Sequence, residues 1–364
     1  MNRVTKYERL RNYEHDTSRF MRFVCSYIFV FRNFILLILL SATTSYSQDI
    51  HFSQYYASPL SINPAQTGMF DGFIRVGGNY RMQWRSVTIP YQTSSVYLDL
   101  NPFQDQMKSG DMVGLGVSLF NDRAGNGILS TNKYNFSFAY HKSLNRNHSA
   151  YLSFGGAMAF VEKKIDFTKL SFDNQWNDIG FDMGIDPNEP TTGNKLDFMD
   201  AQVGMNFTYF FEDRFSMIIG SSVSHLNNPP ESFYGDENTI YKRYISHALL
   251  EIKTGDLTKL QPGAYYTTQR GATEMIIGSN LLYTLNDDHD EFTQLYFGAW
   301  TRPVDAFYLL AGIEFNRVRT LLNYDFNYSK LLPGSRSRGA IEISVVYVYK
   351  KPTRYKPVRF CPRF

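Results

Sequence analysis

The sequence predicts an all-β protein: a transmembrane antiparallel β-barrel of about 14 strands. Three observations predict it. Apolar side chains recur at every second position through most of residues 72–349. The alternating runs are mostly ten or more residues long, as a bilayer-crossing barrel strand of about 9–11 residues requires. Globular strands are shorter, usually about 5–6 residues. The 364-residue chain is also rich in rings: 26 Tyr, 30 Phe and 3 Trp make it 16% aromatic against 20% charged. Mean hydropathy is −0.32, which argues against a bundle of membrane helices. The aromatic content excludes a disordered chain. Two distant cysteines, Cys25 and Cys361, exclude a disulfide scaffold or a Cys-rich zinc module.

Residues 1–47 read as a secretory signal. A basic, polar stretch leads into the apolar core Phe34–Leu40, and small or polar residues from Ser41 to Ser47 follow. The expected mature start is Gln48, with Met21 as an alternative initiator. A retained anchor is the rival reading, disfavoured by Arg32 and the short core. The formal charge of +3 includes this basic leader; the remainder carries 30 basic and 31 acidic groups. That balance removes the electrostatic footprint of a nucleic-acid-binding protein. Residues 48–71 contain Pro59, Pro64 and Gly68, which argue against a long strand. They are expected to form a folded segment in the lumen or at the periplasmic rim.

Strands are expected near 73–84, 91–100, 111–121, 128–142, 148–161, 195–211, 215–226, 241–254, 257–268, 273–285, 291–302, 306–315, 317–328 and 339–349. In each, one face is apolar and the other carries Gly, Ser, Asn, Thr and Gln, as a barrel lumen does. Val113, Leu115, Val117 and Leu119 alternate with Gly114, Gly116 and Ser118. Rings near strand ends read as interfacial girdles: Tyr80 and Trp84, Tyr134 and Tyr140, Phe207 to Phe211, Tyr296 and Trp300, Tyr347 and Tyr349. Tight turns fall at 211–215, 254–256 and 314–317, and long connections at 162–195, 226–241 and 328–339. A barrel with short turns at one rim and long loops at the other has this pattern. The soluble alternative is a β-sandwich with a Tyr-rich core. Residues 350–364 form a tail with six basic groups and no acidic one.

Catalytic arrangements are not found. There is no H-E-x-x-H, no G-x-S-x-G elbow and no phosphate loop. His141 is expected in the lumen beside a serine, but no third catalytic partner is visible. The acid-rich loop 169–195 lacks the ligand spacing of an EF-hand. Asp287–Glu291 reads as a solvated turn. Arg75, Arg81 and Arg85 share one face of the first strand, where they either pair with lumenal acids or line an anion-attracting pore. The expectation is a non-enzymatic protein with no cofactor and no metal.

The two ends together resemble a family. His51-Phe52-Ser53-Gln54-Tyr55-Tyr56, Pro59-Leu60, Asn63-Pro64-Ala65, Thr67-Gly68 and Tyr80-Arg81-x-Gln83-Trp84 look like the opening of PorP/SprF proteins. Tyr91-Gln-Thr93, Asp122-x-Ala-Gly125, Lys169-Leu-Ser-Phe172, His225-Leu226, Arg302-x-x-Asp305-Ala306 and Tyr324-Asp-x-Asn327 continue it. The chain end Cys361-Pro362-Arg363-Phe364 closes it. The resemblance implies an outer-membrane component of the Bacteroidota type IX secretion system, linked in some species to gliding motility. The implied partners are outer-membrane lipids, a secreted cargo with a C-terminal sorting domain such as a large adhesin, and other secretion components. The alternative function is a passive or substrate-specific outer-membrane pore.

Overall fold

The computed structural model describes residues 51–350 apart from 86–88, 104–106, 108–109, 126–127, 190–192, 212–213, 234–236, 288–291 and 330–331. All of these belong to the unit Gln48–Phe364. The expected signal 1–47, its cleavage point and nearly all of the basic tail lie outside the described residues.

Fourteen strands close into one antiparallel barrel: β1 (Ile74–Gln83), β2 (Tyr91–Leu100), β3 (Met112–Ala124), β4 (Leu129–Ser143), β5 (Ala150–Lys164), β6 (Lys195–Phe211) and β7 (Phe215–Ser224). They continue with β8 (Arg243–Lys253), β9 (Thr258–Gln269), β10 (Ala272–Asp287), β11 (Phe292–Arg302), β12 (Ala306–Phe315), β13 (Val318–Asn327) and β14 (Arg338–Tyr349). Each strand pairs with its sequence neighbours, and β1 pairs with β14 from Ile74–Tyr349 to Gln83–Ala340. Closure gives every strand two partners, so backbone groups pair on both sides wherever the registers overlap; Lys195–Gln202 of β6 extends beyond β7 and, among the strands, pairs with β5 alone. Among the described residues no helix is long and apolar enough to cross a membrane.

The period of two sets the faces. Leu115, Val117 and Leu119, then Phe136 and Phe138, then Ile341, Ile343 and Val345 are exposed on the outer wall. Their neighbours Ser118, Ser137, Glu342 and Ser344 are buried inside. Three rings read as girdle members are instead lumenal: Phe210, 3% exposed on the inner face of β6, and two on β11. Tyr296 and Trp300 are 1% and 3% exposed; the Tyr296 hydroxyl donates to Glu314 at 2.7 Å and Trp300 Nε1 donates to Asn280 at 2.7 Å. β11 carries rings on both faces, with Phe297 outside, and the inner polar partners sit on other strands.

The two rims differ. One bears the connections after β2, β4, β6, β8, β10 and β12, together with the entry to β1 and the exit from β14. The expected tight turns at 211–215, 254–256 and 314–317 all fall there. The opposite rim bears the long loops β5–β6, β7–β8 and β13–β14, although β9–β10 and β11–β12 are tight turns there too.

Candidate functional site

The lumen is not empty. Residues 51–72 enter near the long-loop rim, run down the inside of the wall and turn into β1 at the short-turn rim. Their direction follows from their partners. Ser53 and Gln54 bond to the parts of β13 and β14 nearest the long loops. Asn63 bonds to carbonyls in the middle of β6 and β7. Gly68 N–H donates to Asp99 beside the short-turn end of β2, at 2.8 Å. Most of the segment is buried, from Phe52 at 4% to Ala65 and Thr67 at 0% exposed.

At the upper end the plug is held by charge. Glu342 accepts from the backbone N–H groups of Ser53 and Gln54, both at 2.9 Å, and from Arg81 at 2.9 Å. Arg81 also pairs with Asp325 at 2.9 Å, and the Ser53 hydroxyl donates to Asp325 at 3.0 Å. β13 and β14 depart from regular pairing between Tyr324 and Phe326, yet Asp325 keeps the inward face of β13 that Arg319, Leu321 and Asn323 share. Arg302 meets Glu274 at 2.8 Å, Asp305 at 2.9 Å and the Ser53 hydroxyl oxygen at 3.0 Å. His51 Nε2 lies 3.3 Å from Glu274. Burial holds the His51 imidazole down to about 4; Glu274 opposes this shift, and Arg302, Arg81 and Arg243 reinforce it. Gln54 donates to Asn323 and accepts from the Ser344 hydroxyl. Tyr308 donates to the Ser53 carbonyl at 2.7 Å.

Below this sits a stack of rings. Tyr55 lies on Tyr265 with centroids 5.4 Å apart, and Tyr56 lies on Trp300 at 5.4 Å. The Tyr55 hydroxyl donates to Ala248 O at 3.0 Å. The chain then makes two short helical turns, Pro59–Ile62 and Pro64–Gln66. Each begins with proline, whose missing N–H would be unpaired there anyway. Asn63 caps the second: its Oδ1 accepts from Ala65 N–H at 2.9 Å while its Nδ2 donates to Met205 O at 2.9 Å. The wall accommodates this close backbone by omitting side chains. A Cβ on Gly114 would sit 1.9 Å from Thr67 O, one on Gly155 2.4 Å from Ala65 N, and one on Gly204 2.0 Å from Asn63 Oδ1.

His141 does lie beside a serine, with Nδ1 at 2.7 Å from Ser153 Oγ. Its Nε2 faces the Thr67 carbonyl at 2.8 Å. A carbonyl only accepts, so Nε2 carries the proton and Nδ1 accepts from Ser153. The pair is fully buried and its third contact is the plug backbone, so it acts as a bracket for the plug. Arg75 forms a two-pronged pair with Asp99 at 2.9 and 2.7 Å, and Asp99 in turn receives Gly68 N–H. Arg75 and Arg81 thus meet lumenal acids, whereas Arg85 lies exposed in the turn after β1.

The opening motif residues His51, Phe52, Ser53, Gln54, Tyr55, Asn63 and Pro64 therefore come together in the plug, with Arg81 on the wall. Tyr80 points the other way, 41% exposed on the outer face. Trp84 sits at the rim with φ +55 and packs edge-on against Tyr91 at 5.2 Å. Cys361, Pro362, Arg363 and Phe364 lie outside the described residues. Glu342, Glu274 and Tyr308 complete the network without having been singled out; the signal was an acid or ring on an otherwise small strand face. Among the described residues no group of three or more His, Cys, Asp or Glu side chains is placed to hold a metal. In the long loop, Asn177, Asp182 and Asp186 use their oxygens on local backbone N–H groups. Most of the Asp287–Glu291 turn lies outside the described residues.

The long loop also carries an apolar display. Trp176 and Phe181 form an isolated bridge with their rings edge-on at 5.2 Å. Both are half exposed, as is Met183, and Ile179 at the tip is 92% exposed.

A Pseudomonas aeruginosa FadL homologue is 10% identical over 79% of this chain and 93% of that chain, with a TM-score of 0.46. The Ralstonia pickettii toluene transporter TbuX is 8% identical over 80% and 92%, at 0.46. The CymD monoaromatic hydrocarbon channel is 12% identical over 81% and 93%, at 0.43. No curated protein matches the sequence. The family model described as type IX secretion system membrane protein PorP/SprF matches residues 44–347, which span the plug and all but the last two residues of β14. The chain belongs to the PorP/SprF family of type IX secretion system membrane proteins.

Proposed function

We propose that this protein is a plugged outer-membrane barrel that assists type IX secretion by contact. In this reading its long-loop rim faces outward and engages a secreted cargo through the cargo's C-terminal sorting domain, a gliding-type adhesin being the leading class. The observation that carries the proposal is the N-terminal segment bonded through the height of the lumen. A passive pore needs a water-filled lumen, and here Arg75, Arg81 and Arg302 meet carboxylates, Arg243 meets the Thr267 and Tyr265 hydroxyls, and Arg319 lies over the Tyr296 ring. The orientation follows the barrel rule that short turns face the periplasm and long loops face outside. Trp176, Ile179, Phe181 and Met183 then stand at the cell surface, where exposed apolar groups mark interaction sites.

Cleavage after Ser47 fits this arrangement, because it leaves three residues ahead of His51. β14 ends at the opposite rim, and in this reading the basic tail that follows it in sequence meets periplasmic partners. Deletion of the gene, followed by assay of surface-exposed cargo, tests the proposal. Loss of one sorting-domain protein from the surface is expected. Unchanged secretion and attachment of all of them overturns the reading.

A further inference from the structure

On the outer wall of β2–β6, two neighbouring rows of side chains border a shallow furrow of about 730 Å³ that is open to the outside. Strand register defines the rows. Leu100, Leu115, Phe138, Gly156 and Val203 are successive cross-strand partners. Beside them run Leu98, Val117, Phe136, Met158 and Ala201. Phe136, Phe138 and Met158 stand 68%, 51% and 58% exposed, so they rise from the wall. Gly156 and Ala201 between them carry almost no side chain. A Cβ on Gly156 would meet nothing nearer than 4.0 Å. The contrast with Gly155, whose face is filled by the plug, shows that the gap at Gly156 is open on the outside.

The lining is uncharged. Ser137 and Gln202 contribute only their backbone, because their side chains turn inward to Thr67 and to the Ile62 carbonyl. The furrow is continuous with the outer apolar band and reaches from the last residue of β2 at the short-turn rim to the middle of β5 and β6. Its volume falls within the about 300–1,000 Å³ of ligand sites.

We propose that this furrow is a binding site for one acyl chain of a phospholipid from the leaflet on the short-turn side. An acyl chain is uncharged, narrow and already present in the medium that bathes this wall. A membrane-protein partner would instead meet two tall phenyl rings standing above a floor of glycine and alanine. The site rests on the membrane placement of the barrel and is independent of which cargo the long loops engage.

The test uses the full-length protein in mild detergent with added palmitoyl-oleoyl phosphatidylethanolamine, followed by native mass spectrometry. Gly156→Leu and, separately, Ala201→Leu fill the furrow from two strands. Each is expected to retain the lipid about tenfold less than wild type, the effect of two or so buried methylenes. Heat-modifiable migration on gels checks that both variants fold. Equal lipid retention in wild type and both variants overturns the proposal. So does a wild-type dimer that either leucine abolishes, because the occupant is then a second copy of the chain. The cargo assay is read separately, so failure of either proposal is distinguishable.

Discussion

Glu342 shows how one residue holds the plug. It is fully buried and joins two plug N–H groups to Arg81. Removing its charge leaves Arg81 with Asp325 alone and both N–H groups with a weaker acceptor. Breaking a buried pair in this way typically costs about 3–5 kcal/mol. Glu342→Gln is therefore expected to loosen residues 53–54 and to lower the unfolding temperature in detergent. An unchanged melting curve and unchanged hydrogen exchange at those amides would show that the carboxylate is dispensable. His51 gives a pH dependence of known sign. Its imidazole titrates at about 4 in the folded chain against 6.5 when unfolded, because burial disfavours the charged form. Above about pH 6.5 both states are neutral and the stabilisation is complete. Between 6.5 and 4 the unfolded segment takes up a proton that the folded one does not, so docking weakens as pH falls and levels off below about 4. Hydrogen exchange across that window checks this, and His51→Gln should remove the His51 contribution to the slope.

At the scale of elements, adjacent glycines on β5 make a matched pair. Gly155 faces the plug and Gly156 faces out. Gly155→Val must displace the backbone at Pro64–Ala65 and is expected to raise protease sensitivity of the plug and lower folding yield. Gly156→Ala on the opposite face should leave both unchanged. Equal behaviour of the two variants would mean that the plug does not depend on close packing. The long loop makes a different prediction. Trp176→Ala removes the ring that meets Phe181 and should reduce cargo binding at least several-fold with no change in barrel melting, as loss of an exposed aromatic anchor does. Binding of purified cargo to the wild type and the variant separates that outcome from a purely structural role for the loop. The strands themselves were legible because a pleat forces side chains to alternate, so outer Leu115 and Val117 and inner Gly116 and Ser118 declare their faces from sequence. Tyr296 and Trp300 were misread as girdle rings because β11 carries rings on both faces. Their hydrogen-bond acceptors, Glu314 and Asn280, lie on other strands.

For the whole molecule, the filled lumen predicts that purified protein in a planar bilayer shows no steady conductance. A stable open current from wild-type protein would favour the pore. Topology makes a second prediction. The plug's first described residue lies toward the long-loop rim, whereas Lys350 leaves β14 at the short-turn rim and pairs with Asp71. A protease site inserted at Ile179 should therefore be cut from outside intact cells, while one inserted after Lys350 should be protected until the membrane is opened. Cutting of both from the same side would refute the orientation.

By itself the sequence determined that this chain is a barrel, with the right number of strands, the faces of most of them and the two kinds of rim. Those properties follow from the local two-residue period, strand length and turn chemistry, all of which are written within short windows. It also marked the opening motif and Arg81 as belonging together in a family pattern, without saying where they meet. Only the tertiary structure decided that the motif occupies the lumen. It brought Ser53 to Glu342 and Asp325, His141 to Thr67, and the glycines of β3, β5 and β6 under the plug backbone. These contacts join residues up to 289 positions apart. Barrel closure sets them by bringing the last strand beside the first, and no local pattern encodes that meeting.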